Sequence, residues 1–134
     1  MVLLEWTPAL SVDIKSIDEQ HKKLFGYINK LDDALEQKRA KEILAQLFND
    51  LEDYTHTHFG LEEMYFNKFD YKDKYAHVAE HTEFIRRLAE MKKEMQDEAM
   101  DVEDLLGFLV DWLMHHIKGT DHQYSKFFRE HGVV

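Results

Sequence analysis

The chain has 134 residues, enough for one domain with a real core and too few for two ordinary ones. Its 27 acidic against 17 basic residues give a formal net charge of -10, which disfavours nucleic acid and anionic membranes as partners. No cysteine is present, so disulfides and thiolate chemistry are excluded, and any metal site must rest on carboxylates and the nine histidines.

One proline and five glycines leave little punctuation for a many-stranded sheet, and long helices are the expectation. The opening MVLLEWTPAL lacks a basic n-region and a sustained apolar stretch. No apolar run approaches the roughly 20 residues of a membrane helix, so a cytoplasmic protein without membrane insertion is expected, working as a monomer. The first segment is an arm carrying Trp6, Leu10, Val12 and Ile14, with Trp6 as its anchor. Ser16 followed by Glu19 reads as a capping box opening a first helix. His21, Leu24, Ile28, Leu31 and Leu35 then recur at steps of three and four as far as Gln37. A second helix is expected from about Ala40 to Asn67, with Leu44, Leu47, Leu51, Tyr54, His58, Leu61, Glu62 and Tyr65 along one face. After the loop FDYKD, Asp73 is the N-cap expected for a third helix bearing His77, His81, Phe84, Leu88, Met91 and Met95. A fourth begins near Asp101 and carries Val102, Leu105, Leu109, Trp112, Leu113 and His116. Tyr124, Phe127 and Phe128 suggest a short C-terminal helix. Four amphipathic segments with short connections predict an all-α, up-down-up-down antiparallel four-helix bundle forming a single domain over residues 1–134.

Each of the four stripes carries a histidine where leucine is normal, and two carry a carboxylate. A single core histidine is more often hydrogen-bonded than metal-bound, and His-x-x-x-Glu alone is commonly a surface pair. The combination is different, because buried histidines and acids on four consecutive helices are costly unless something pairs them together. HTHFGLEE sets His58 and Glu62 four apart, HVAEH sets His77 and His81 four apart, and His21 and His116 face inward from the other two helices. Asp121 completes seven candidate donors, too many for one tetrahedral zinc and suited to two octahedral ions sharing bridging carboxylates. With Glu62 and Asp121 each bridging, and one solvent-derived oxygen bridge, the set is one ligand short of two complete octahedra. That vacancy fits a small diatomic molecule. His56 and His115 lie about 200° and 100° round an ideal helix from His58 and His116, and are expected to face solvent. His122 and His131 are not expected to be ligands, and Glu63 is expected beside the site or at the surface. The step from His116 to Asp121 is about 140° on a regular helix, so a π-bulge or loosened turn around Lys118 to Thr120 is predicted, eased by Gly119.

DEQH ending at His21, HTHFGLEE, HVAEH and WLMHHIKGTD together resemble the hemerythrin family, in its single-domain bacterial form, over essentially the whole chain. The resemblance implies two non-haem iron ions joined by an oxo or hydroxo bridge, one held by His77, His81 and His116 and the other by His21 and His58, with Glu62 and Asp121 as bridges. It also implies an apolar pocket over the open position, where Leu24, Phe59, Trp112, Leu113 and Ile117 occupy the matching places. The implied activity is reversible dioxygen binding, for carriage, storage, delivery or sensing, with an oxygen-consuming enzyme or signalling protein as a candidate partner. The alternative is a di-iron enzyme acting on peroxide, nitric oxide or dioxygen. Against an oxidase, the chain lacks the Glu-x-x-His motifs of ferritin-like di-iron proteins.

Overall fold

The computed structural model describes residues 4–134. It is all-helical: α1 spans Lys15–Glu36, α2 Ala40–Phe69, α3 Lys74–Gln96 and α4 Val102–Trp112, and α4 runs without a break into a π-helical segment, Leu113–Asp121, and then α5, His122–Glu130. Three- to five-residue connections between the four long helices force consecutive neighbours to run antiparallel, and the result is a four-helix bundle.

The N-terminal arm lies along α1. The Leu4 backbone N–H donates to Asn29 Oδ1 at 2.9 Å, and Asn29 Nδ2 returns a bond to the Leu4 carbonyl at 2.9 Å. Trp6 packs edge-on against Phe25, with Lys22 Nζ over its ring. The capping box is corrected, because α1 starts one residue before Ser16 and its N-cap is Ile14, which has no side-chain oxygen. Asp18 does the stapling instead, accepting from the Val12 N–H at 2.9 Å and from the Ser11 hydroxyl. Ser16 donates to the Val134 carbonyl at 2.8 Å. Asp73 holds the N-cap position of α3 without a side-chain capping bond, whereas Asp101 accepts the Glu103 N–H and caps α4.

The first three helices close in the same way. A residue in the left-handed region follows each, Lys38, Asp70 and Glu98, and the next backbone N–H reaches five residues back, from Arg39 to Ala34, Tyr71 to Phe66 and Ala99 to Glu94. These are Schellman closures made without glycine. α2 outruns its expected end at Asn67 and continues to Phe69.

Burial falls into two apolar clusters. One gathers Leu24, Ile28, Leu31, Leu47, Phe48, Leu51, Phe84, Leu88, Leu105 and Leu109, and the other Val12, Ile14, Ile17, Phe66, Tyr71, Tyr124 and Phe128. On α1 the boundary between them passes between Ile17 and Leu24, where His21 sits, and on α2 between Phe59 and Phe66, where Glu62 sits. A polar layer is thus held between two oily ones. Desolvation is imposed on it from both ends of the bundle. Among the described residues no helix is long and apolar enough to cross a membrane.

Candidate metal centre

His21 from α1, His58 and Glu62 from α2, His77 and His81 from α3, and His116 and Asp121 from the π segment are all buried, none more than 2% exposed. His58 and Glu62, like His77 and His81, are one α-turn apart and project from one face. His116 and Asp121 are five apart. They share a face because π-helical bonding runs from i to i+5 and stacks such residues. The distortion is wider than the three residues expected around Lys118, and it does not require a glycine at position 119. A side chain at that position would meet open space, and Gly119 is not in the left-handed region.

The donors form two overlapping sets, Glu62 with His77, His81, His116 and Asp121, and Glu62 and Asp121 with His21 and His58. Within each set, one donor atom per residue lies within 4.8 Å of all the others. Asp121 Oδ1 is 2.9 Å from His77 Nε2 and 3.1 Å from His116 Nε2, and Oδ2 is 3.1 Å from His21 Nε2. Glu62 Oε1 is 3.0 Å from His81 Nε2 and 3.4 Å from His58 Nε2. His21 Nε2 and His58 Nε2 lie 3.1 Å apart and can share a proton, but the other close approaches are not hydrogen bonds. Both oxygens of Glu62 and of Asp121, and Nε2 of His77, His81 and His116, are buried without an aligned partner. Each such atom costs on the order of 1–3 kcal/mol if nothing satisfies it. Lone pairs that converge on shared points rather than on each other are satisfied by cations placed among them. The residues present therefore fit a metal pair.

The outer imidazole nitrogens fix the tautomers. His58 Nδ1 is 2.6 Å from Gln20 Oε1, His81 Nδ1 2.9 Å from Glu63 Oε2, and His116 Nδ1 3.0 Å from Glu80 Oε1. Those oxygens can only accept, so each Nδ1 carries the proton and each Nε2 turns a lone pair inward. Glu63 is thus placed beside the site, one of its two anticipated positions. Gln20, Glu80 and Thr120, whose hydroxyl donates to Glu80, carry no mark in the sequence beyond their adjacency to His21, His81 and Asp121.

Without metal the layer is electrically strained. Burial drives His58 down to about 4 against the pull of Glu62. Burial opposes a charge on His77 too, but its contacts with Asp121 and Glu62 win and raise it to about 9. His116 is raised as well, Asp121 outweighing its burial. Burial pushes both carboxylates up, yet surrounding imidazoles, chiefly His58 for Glu62 and His116 for Asp121, hold them below the usual carboxylate range. Burial and the same two carboxylates push the Tyr54 and Tyr124 phenols upward.

Aromatic rings wall the imidazoles. Phe59 stacks on His81 at 3.9 Å between centroids, Trp112 on His116 at 4.0 Å and Tyr54 on His58 at 5.2 Å. Leu24, Phe59, Leu113 and Ile117 are buried in one cluster and Trp112 packs against it. A cleft of about 100 Å³ lined by Gln20, Lys23, Tyr54 and His58 among others reaches the outer edge of His58. His56, His115 and His131 are exposed, and half-buried His122 belongs to neither donor set.

Residues 12–128 match the family model described as the hemerythrin HHE cation binding domain. The chain belongs to the hemerythrin family. It is 36% identical to a bacteriohemerythrin of Pseudomonas aeruginosa over 92% of this chain and 80% of that one. It is likewise 36% identical to a bacteriohemerythrin of Methylococcus capsulatus over 93% and 96% of the two chains. A crystal structure of wild-type hemerythrin superposes with a TM-score of 0.84 at 32% identity, covering 92% of this chain and 96% of that one. Membership in the hemerythrin family carries di-iron binding and, as a general activity, oxygen binding.

Proposed function

We propose that the chain binds dioxygen reversibly, as a carrier or store, at two irons held by the seven buried donors. His77, His81 and His116 would hold one ion and His21 and His58 the other, with Glu62 and Asp121 available to both. The observation that carries this reading is the overlap of the donor sets: the two carboxylates are common to both, while the histidines divide unequally, three and two. With two histidines against three, the His21 and His58 side would offer room for an exogenous ligand. Iron bound there would supply, in its ferrous state, the electrons that reversible dioxygen binding needs.

The chain's own residues do the rest. Gln20, Glu63 and Glu80 keep imidazole lone pairs aimed inward. Leu24, Phe59, Trp112, Leu113 and Ile117 form the apolar lining that keeps water from the bound ligand, which favours release of intact dioxygen over irreversible oxidation.

The test is an absorption spectrum of anaerobically reduced, iron-loaded protein carried through repeated oxygenation and degassing. Charge-transfer bands that appear and vanish reversibly, with about two irons per chain, support the reading. Rapid irreversible conversion, with turnover on peroxide or nitric oxide, would make the protein a di-iron enzyme instead. A chain that takes up one zinc and no iron overturns both.

A further inference from the structure

Glu80 makes contacts that orienting His116 does not require. From α3 its Oε1 accepts from His116 Nδ1 at 3.0 Å, and the Thr120 hydroxyl lies 3.0 Å from each of its two oxygens. It therefore grips the π segment at two points, one of them the residue before Asp121. We propose that Glu80 is a positioning residue that sets the helical register of the π segment, holding Thr120 off the inward face so that Asp121 occupies it.

The reasoning is geometric. An α-helix stacks residue i+4 over residue i, whereas a π-helix stacks i+5. In the α register Thr120 would stand above His116, and Asp121 would turn about 100° away from the ion pair. The two registers thus exchange Thr120 and Asp121 at one place. A hydroxyl bonded to Glu80 cannot face the polar layer, so the Thr120–Glu80 contact is compatible with the π register and works against the α register.

A nine-residue π segment also needs something to hold it, because i→i+5 bonding is rare beyond a single turn. Gly119 does not compel it, since an added side chain meets nothing and its backbone is not left-handed. Lys118 is exposed. The grip is made by protein atoms alone, so it sets the register before any ion arrives. Glu80 also adjoins His81, so one turn of α3 places a donor on its own helix and two donors on the next.

The consequence for iron rests on the donor assignment proposed above, while the register does not, and the experiment separates them. Thr120→Val keeps the shape of the side chain and removes the donor. Glu80→Ala removes the acceptor, and Glu80→Gln keeps an acceptor oxygen without the charge. His115→Ala, on the exposed side of the same segment, is the control. Amide exchange at residues 117–122 is followed in the metal-free proteins, and iron per chain is measured after ferrous loading. Thr120→Val and Glu80→Ala should exchange about tenfold faster over that stretch and nowhere else. They should bind iron about 10–100-fold more weakly than the wild type, with Glu80→Gln close to wild type.

Exchange in Thr120→Val as slow as in the wild type overturns the proposal, as does Glu80→Gln failing as badly as Glu80→Ala, which would make charge the cause. If Glu80→Ala does not fold, Thr120→Val decides alone. A wild type that takes up no iron defeats the donor assignment, and the exchange data still judge the register.

Discussion

At the scale of the residue, three of the five inward imidazoles have their outer nitrogens committed, while Nδ1 of His21 and of His77 is buried without a hydrogen-bond partner among the described residues. Two of the three histidines assigned to one ion donate to carboxylates, Glu63 and Glu80, while His58, assigned to the other, donates to the neutral amide of Gln20. Gln20→Ala frees the His58 ring and its tautomer, so iron affinity should fall about 10–100-fold, with loss concentrated in one of the two ions, read by titrating ferrous iron against a competing chelator. An unchanged titration would show that Tyr54 stacking alone orients the ring. His58→Ala should abolish the paired-ion spectrum, whereas His115→Ala should not, because His115 is exposed and among the described residues bonds only to the Asp111 carbonyl. Equal damage from both would reverse the assignment of inward and outward histidines. The inward histidines were legible because a polar residue on an apolar stripe is an anomaly within one helix. Gln20 and Glu80 were not, since their role depends on which ring faces them from another helix, and periodicity carries no information about that.

At the scale of the element, the four long helices could be read from their stripes, but their ends could not. Glycine and serine signals were the available guides, and this chain closes α1, α2 and α3 with Lys38, Asp70 and Glu98 in the left-handed region and opens α1 on Ile14. Non-glycine residues tolerate that region when backbone bonds reward it, so composition gives little warning. The His116 to Asp121 spacing did predict a departure from α geometry, and it erred on length because spacing fixes only the net rotation, not how many residues share it. The capping assignments separate under mutation. Asp101→Ala removes a side-chain bond to the Glu103 N–H and should lower the stability of the metal-free protein by about 1 kcal/mol in urea melts. Ser16→Ala should change it by less than about half of that, because its exposed hydroxyl caps no helix and among the described residues reaches only the Val134 carbonyl. If Ser16→Ala proved the more damaging, the capping box that the structure rejects would have to be restored.

At the scale of the whole molecule, the polar layer makes metal-free stability a function of pH on both sides of neutrality. His77 is raised from 6.5 to about 9, so the folded state prefers it charged. Its contribution is complete below pH 6.5 and is lost as pH rises through 9, a swing of roughly 3 kcal/mol. His116 is raised and acts in the same sense. His58 is lowered from 6.5 to about 4, so the folded state prefers it neutral. Its contribution, also roughly 3 kcal/mol, is complete above pH 6.5 and is lost as pH falls through 4. Glu62 and Asp121, held low, add to the loss only at still more acid pH. The metal-free protein should therefore be most stable near pH 6.5 and weaken in both directions, seen as midpoints of urea unfolding across pH 4 to 9. Iron changes the alkaline side. Ions bound by the inward lone pairs take the place of the protons on His77 and His116, so loaded protein should hold its stability up to pH 9. It should still lose stability in acid, where protons compete for the same nitrogens. Parallel alkaline losses in metal-free and iron-loaded protein would mean that these imidazoles titrate independently of the metal, and the buried layer would not be the centre proposed.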